Sequence, residues 1–369
     1  MSADRNRTID DFLKRAGWGD AERVPLSGDA STRRYVRLWQ DGSSALLMDQ
    51  PQGAEAPAAP AGATPEERKA LGYNAVARLA GADCARFIAA ANYLRGLGLS
   101  APAILADEAA EGLVLMEDLG TELFTDSLAK GADEQQLYQG AAEVLARLHL
   151  EAAPAVLPPG KQLHPYDETA LLAETDLLTE WFFPVGLKRK ASAAEASEFR
   201  ELWRQALKPF TDGPSVFVHR DYHAQNLMWL PNRKGAAQVG LIDFQDAVAG
   251  SPAYDMISLT EDARRDVSPK IARATLSHYL HTVRAQGAPV DEEAFAAAMA
   301  VFAAQRNTKI VGIFARLFRR DGKPRYLSLL PRVWFYLNAD LNHPALAALK
   351  SWYDRVIPFE ARSAPDRGV

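Results

Sequence analysis

Two short runs hold the residues whose types and spacing suit a chemical reaction. The first is His219-Arg220-Asp221-Tyr222-His223-Ala224-Gln225-Asn226, directly after the apolar stretch Val216-Phe217-Val218. The second is Leu241-Ile242-Asp243-Phe244, which ends another apolar stretch. Phosphoryl transfer needs few side chains. One carboxylate must orient an acceptor hydroxyl and take its proton late, and hard oxygen ligands must hold a divalent cation on a polyphosphate. Asp221 fits the first task. Asn226 and Asp243 offer oxygens of the kind Mg²⁺ prefers. An isolated Asp or Asn in a loop is ordinarily a turn former or a cap. The information lies in the joint pattern: an Asp, an Asn five residues on, and an Asp-Phe after the next strand.

Such loops need strands beneath them and helices around them. Residues Thr8 to Ala16 read as a short helix with Thr8 as its cap and Ile9, Phe12 and Leu13 on one face. The segment from Tyr35 to Trp39 alternates, with Tyr35, Arg37 and Trp39 facing one way and Val36 and Leu38 the other. With Ala45 to Met48 it forms a hairpin turning at Asp41-Gly42. Residues 51–65 are rich in Ala, Pro and Gly and read as an exposed loop. A helix over residues 82–97 and strands near Ala103–Ala106 and Leu113–Glu117 complete a small mixed sheet with one helix on it. Beyond Gly120, residues 134–150, 167–183, 193–210, 268–286, 291–318 and 325–353 read mostly as helices, interrupted by the strand–loop–strand island that carries the two runs. The expected class is α+β: a β-rich N-lobe over residues 1–120, a mostly helical C-lobe over residues 121–369.

Two further segments bear charge or small residues where a nucleotide or an acceptor would need them. Ser27-Gly28-Asp29-Ala30-Ser31-Thr32 precedes the first alternating strand, and its small residues would let backbone N–H groups approach phosphate. Arg33, Arg34 and Arg37 follow it. Between Val301 and Arg332 lie eight Lys or Arg residues and a single acid, Asp321. Four of them, Arg306, Lys309, Arg316 and Arg320, fall within roughly 80° of arc on a helical projection. Clustered cations favour an anionic ligand and disfavour a polycation.

Composition sets bounds. The chain has 369 residues, enough for two lobes with separate cores. It is 48% hydrophobic and 24% charged with a net charge of −5, which does not suit bulk nucleic-acid binding. The single cysteine, Cys84, excludes an intrachain disulfide and reads as a small buried hydrophobe. The charged N-terminus has no apolar signal core, and no stretch approaches the ~18 apolar residues of a membrane span. These features place the chain in the cytoplasm, with no membrane or nucleic-acid partner, and nothing points to a protein partner.

The catalytic-type runs, HRDYHAQNLMW and GLIDFQDAVAGSPAYDMISL, resemble those of the aminoglycoside phosphotransferase and choline kinase branch of the protein-kinase-like fold, and the resemblance extends over nearly the whole chain. It implies ATP and Mg²⁺ as cofactors, Asp221 as base, and Asn226 and Asp243 as metal ligands. His219 would be structural, and Asp255 would brace the catalytic loop. Backbone groups near Glu117 and Leu119 would meet adenine. Ser27, Gly28, Ala30, Ser31 and Thr32 would cover the phosphates. One departure stands out. The lysine of the third strand is missing, replaced at Met48 or a neighbour, and the following helix offers no Glu to pair with it. Arg33, then Arg34, are the candidates to supply that cation. Within the branch, QRNTKIVGIFARLFRRDGKPRYLSLLPRVWFYL, SGDASTRRYVRL, LLMDQP and MEDLG resemble the bacterial anomeric kinases of N-acetylmuramate and N-acetylglucosamine, implying a small sugar acceptor phosphorylated at C1 in cell-wall recycling. Trp181 could stack on the sugar, and Arg306, Lys309 and Arg316 could meet a carboxylate. Two other readings stay open: a kinase of another small molecule such as an aminoglycoside, and a nucleotide-binding module without catalysis.

Overall fold

The first helix begins earlier than its apolar face suggests. In the computed structural model, which describes residues 3–26, 33–51, 57–60, 62–79, 83–213 and 215–364, it spans Ala3–Arg15. Thr8 is therefore not its cap. The Thr8 hydroxyl donates to the Asp4 carbonyl one turn back, at 3.1 Å. Ile9, Phe12 and Leu13 do share the buried face, packed with Leu38, Ala45, Leu47, Leu113 and Leu115 of the neighbouring sheet.

The chain forms two compact units. The first comprises residues 1–144, 154–164 and 224–247. Its five-stranded sheet runs, in spatial order, Glu22–Pro25, Arg34–Gln40, Ser43–Asp49, Leu113–Glu117 and Ile104–Glu108, all neighbours antiparallel. The hairpin turns where Asp41 and Gly42 both take positive φ, 50° and 75°, the geometry a two-residue turn requires. Alternation holds along its first strand, with Leu38 in the core and Trp39 exposed. The helix Cys84–Gly96 lies close to its expected bounds. A helix at Pro65–Leu71 follows the Ala- and Pro-rich stretch, opened by a capping box in which Thr64 and Glu67 satisfy each other's backbone N–H groups. Cys84 is buried, and burial pushes its thiol up to about 11, so it behaves as an inert small side chain.

The second unit comprises residues 145–153, 165–223 and 248–369. The long helix Glu292–Asp321 packs against the helices Glu168–Leu177, Ala253–Thr260 and Leu330–Asp340. Gly312 permits its close approach, since a Cβ there would stand 2.5 Å from the Leu177 backbone. The expected helix over residues 167–183 ends at Leu177 and continues as a π-helix over Leu178–Leu187 that contains Pro184. The expected helix over residues 325–353 breaks into pieces, because Pro331 and Pro344 start new segments at Leu330–Asp340 and Pro344–Leu346. Among the described residues no helix is long and apolar enough to cross a membrane.

Candidate active site

The chain passes from the second unit to the first between His223 and Ala224, in the middle of the first chemistry-bearing run. Within the second unit, Val216–Val218 pairs antiparallel with Val248–Gly250 and delivers His219, Arg220 and Asp221 at its end. Arg220 holds φ of 74°, a left-handed conformation that disfavours any residue with a Cβ. Asp255 makes that shape persist. One of its carboxylate oxygens accepts the His219 backbone N–H at 2.6 Å, and the other accepts that of Arg220 at 2.9 Å. Three residues along the same helix face, Ser258 donates to the Arg220 carbonyl at 3.3 Å and accepts from Arg306 Nη2 at 3.0 Å. Burial raises the Asp255 carboxyl to about 7, against the pull of the two backbone N–H groups.

Behind Asp221 lies an ionic network that the sequence did not reveal. Glu174 is completely buried, and its Oε1 accepts from Arg220 Nη2 at 2.5 Å and Lys309 Nζ at 3.2 Å. Its Oε2 accepts from Gln305 at 3.1 Å and from the Tyr166 hydroxyl. Lys309 also donates to the Tyr254 hydroxyl at 3.0 Å, and the Arg220 guanidinium lies 4.8 Å over the Tyr166 ring. Burial works against charge on Lys309, but Glu174 and Tyr254 outweigh it and hold its pKa up. Burial alone would raise the Asp221 carboxyl, yet surrounding cations, Lys309 foremost, hold it well below the usual carboxylate range. His223, which burial lowers to about 4, is neutral at pH 7. The charges keeping Asp221 ionised are therefore those of Lys309, Arg220 and Arg306.

Within the first unit, Leu227–Trp229 pairs antiparallel with Val239–Leu241, so Asn226 and Asp243 emerge at the same end of one hairpin. The Ile242 N–H donates to the Asn226 carbonyl at 3.2 Å, and the Asn226 amide lies 3.4 Å from Asp243. Asp243 is the other left-handed residue of the site, with φ of 64°. Its carboxylate is 44% exposed and accepts from Gln245 at 2.8 Å and Arg33 Nη1 at 3.3 Å. One carboxylate with a carboxamide beside it, open on one side, fits Mg²⁺, which is ordinarily held by one or two side-chain oxygens with phosphate and water completing its shell. Phe244 stacks on Phe87 of the helix Cys84–Gly96, ring centroids 4.9 Å apart.

Arg33 is almost fully buried beneath Asp243. Burial opposes its charge, but Tyr35, Asp243 and Asp246 outweigh it and raise its pKa. Arg34 is exposed at the strand's start, and Arg37 is engaged with Asp118 at 2.8 and 3.1 Å. Met48 is buried and accepts from the Tyr35 hydroxyl at 3.6 Å. Glu117 ends its strand with its N–H bonded to the Ala103 carbonyl at 2.8 Å, and Leu119 is buried beside Gly240. Ser27, Gly28, Ala30, Ser31 and Thr32 lie outside the described residues.

The basic stretch falls into separate places. Arg306 and Lys309 are buried near Asp221, whereas Arg316 lies 5.8 Å over the Trp181 ring. The seven-residue step from Lys309 to Arg316 spans about 10 Å of helix at ~1.5 Å per residue. The four side chains do not form one ligand-facing patch.

The family model described as "Phosphotransferase enzyme family" matches residues 22–290. An N-acetylmuramate/N-acetylglucosamine kinase from Caulobacter vibrioides is 44% identical over 98% of this chain and 99% of its own length. One of the same description from Pseudomonas aeruginosa is 34% identical over 90% of this chain and 89% of its own. The crystal structure of a choline kinase from Streptococcus pneumoniae superposes with a TM-score of 0.58 at 13% identity, covering 92% of this chain and all of that one, which establishes a protein-kinase-like fold.

Proposed function

The chain belongs to the phosphotransferase enzyme family, and we propose that it uses Mg²⁺ and ATP to phosphorylate the anomeric hydroxyl of N-acetylmuramate or N-acetylglucosamine. The observation that carries this reading is its end-to-end likeness to the Caulobacter sugar kinase, joined to a loop that presents an ionised Asp221 among buried cations. In the reaction the acceptor oxygen bonds to the γ-phosphorus as the bond from phosphorus to the ADP oxygen breaks. The hydroxyl proton passes to the Asp221 carboxylate. A carboxylate held this far into its ionised form is a weak base, suited to orienting the hydroxyl and taking the proton late. A hemiacetal hydroxyl is more acidic than an ordinary alcohol and asks less of that base.

Asn226 and Asp243 would hold Mg²⁺, whose charge neutralises the phosphates. Arg33 would supply the cation that the third strand lacks. Ser27, Gly28, Ala30, Ser31 and Thr32 would cover the phosphates, and backbone groups at Glu117 and Leu119 would meet adenine. On this division residues 1–120 bind nucleotide, while residues 121–369 carry the catalytic loop and the acceptor. Of the candidate acceptor residues, Arg306 and Lys309 act through the catalytic loop and Asp221, whereas Arg316 and Trp181 engage each other. An ATP-consuming step of sugar recycling belongs in the cytoplasm.

The test is product analysis with both sugars and an aminoglycoside panel, using Asp221→Asn as a variant that keeps nucleotide binding and loses ~10²–10⁴ in rate. The expected product is an acid-labile phosphate coupled to the anomeric proton in phosphorus NMR. A 6-phosphate, or turnover of antibiotics alone, refutes the proposal.

A further inference from the structure

Arg264 stands in the turn after the helix Ala253–Thr260, whose Asp255 and Ser258 hold the catalytic loop in shape. All of these residues belong to the second unit. The turn is pinned twice. The fully buried Asp262 accepts the Arg264 backbone N–H on Oδ1 at 2.8 Å, and the Ala263 carbonyl accepts Arg332 Nη1 at 3.3 Å. The backbone of Arg264 is thus placed without any use of its side chain.

Other arginines of this unit direct their charge at acids. Arg189 meets Glu195, Arg220 meets Glu174, Arg355 meets Glu198 and Arg362 meets Asp354. Arg264 differs. Among the described residues its guanidinium makes one contact, from Nη1 to His223 Nε2 at 3.3 Å. Arg273 and Arg319 also have no acid bonded to them there, but neither bonds to the catalytic loop. His223 belongs to that loop, buried two residues beyond Asp221. An arginine can only donate, so Nε2 accepts and the proton of the neutral ring is on Nδ1. The acid Asp221 favours charge on this ring and Arg264 opposes it, so both groups lie within reach of one imidazole. A neutral ring takes one N–H of the guanidinium and none of its charge. Arg264 is exposed, which leaves the rest of the fork open to a ligand. Such a fork matches the two oxygens of a carboxylate.

We infer that Arg264 receives the lactyl carboxylate of N-acetylmuramate while the anomeric hydroxyl meets Asp221, and so favours that sugar over neutral N-acetylglucosamine. The inference rests on the sugar-kinase reading above. The carboxylate and the reacting hydroxyl hang from different carbons of one ring, so their receptors must be separate groups set close together. Arg264 and Asp221 are such a pair, with His223 between the two roles. The two sugars differ in this carboxylate, so each serves as the control for the other.

Initial rates are measured with both sugars for the full-length wild type, Arg264→Gln and Arg264→Lys, together with melting curves recorded without sugar. Arg264→Gln is expected to lower the ratio of kcat/KM for N-acetylmuramate to that for N-acetylglucosamine by about 10-fold, the effect of one charge-assisted hydrogen bond. Arg264→Lys should recover part of that ratio. The melting temperature of Arg264→Gln should stay within about 2 °C of wild type, because the side chain has no acid to lose and its backbone bond to Asp262 remains. An unchanged ratio overturns the subsite and leaves the sugar kinase standing. So do equal losses on both sugars: with an unchanged melting temperature they assign the guanidinium to the transferred phosphate, and with a lowered one in both variants they mark a structural arginine. Wild-type protein that phosphorylates neither sugar overturns both readings.

Discussion

Glu174 and Lys309 are partners in one buried network, but their removal should have unequal consequences. The network holds one acid and two cations, with Oε1 of Glu174 at 2.5 Å from Arg220 and 3.2 Å from Lys309. At an effective dielectric of about 20 these contacts are attractive by roughly 7 and 5 kcal/mol before desolvation. Glu174→Gln deletes the one carboxylate bonded to both cations and turns an amide N–H or a weaker acceptor toward two cations that cannot reach water. Breaking a buried pair in this way costs ~3–5 kcal/mol. At roughly 2–4 °C per kcal/mol for larger domains, the melting temperature should fall by about 6–20 °C. Lys309→Met instead leaves Glu174 and Arg220 as a neutral pair and removes the desolvation of an ammonium, so its melting temperature should stay within about 4 °C of wild type. Its effect should appear in catalysis. Asp221 loses its strongest cationic neighbour, its pKa rises toward the ordinary range, and the acid limb of the pH–kcat/KM profile moves to higher pH. Circular-dichroism melts and pH–rate profiles of the two variants decide the matter. A Glu174→Gln protein as stable as wild type, or a Lys309→Met protein as destabilised as Glu174→Gln, would refute the charge argument.

Two further outcomes follow from the structure. Arg33→Ala should raise the KM for ATP by about 10-fold or more, the loss of ~1.5–3 kcal/mol for a charge-assisted contact, while the exposed Arg34→Ala stays near wild type; steady-state kinetics showing the reverse order would assign the cation to Arg34. Glu261 and Asp340 are held by one Asn307 amide, at 2.7 and 3.0 Å, and burial raises both carboxyls. The folded state therefore keeps a proton that the unfolded chain releases, and this contribution to stability is lost as pH rises from the ordinary carboxylate range through the raised values. Asp340→Asn should flatten the decline in melting temperature between pH 5 and 9; a variant curve parallel to wild type would show that no such proton is held.

What the sequence revealed depended on whether the relevant partners were near in the chain. Asp221, Asn226 and Asp243 lie on two loops separated by one short hairpin, so their types and spacing were enough to propose the chemistry. The turn at Asp41-Gly42 needs only two residues and was equally visible. Glu174 was not, because its function arises from the packing of Glu168–Leu177 against Glu292–Asp321, more than a hundred residues on. A signal did exist: Glu174 stands three residues after Leu171 and four before Leu178, on an apolar helical face, where an acid calls for a buried partner. The helix Pro65–Leu71 also had a local signal in Thr64-Pro65-Glu66-Glu67, a capping box at the edge of a stretch whose composition suggested only loop. Proline decided the ends of the late helices, since Pro331 and Pro344 each begin a new segment where hydrophobic periodicity alone ran on.

The eight cations from Arg306 to Arg332 show why a charge count differs from a binding surface. A cation already bonded to an acid or an aromatic face offers little field to a ligand. Arg320 is held by Asp321 at 2.6 Å and Arg332 by Asp266 at 2.5 Å. Arg316 and Arg325 lie over Trp181 and Tyr326. Lys309 is fixed by Glu174, and Arg306 supports the loop through Ser258. The work of these six is internal: Lys309 and Arg306 keep Asp221 ionised and its loop in shape, and the other four are held by a neighbouring acid or ring. The run therefore excludes a polycationic acceptor only weakly, and it does not by itself explain recognition of an acidic sugar. An anionic acceptor needs a cation whose charge is not already bonded, set in a cavity that admits the ligand.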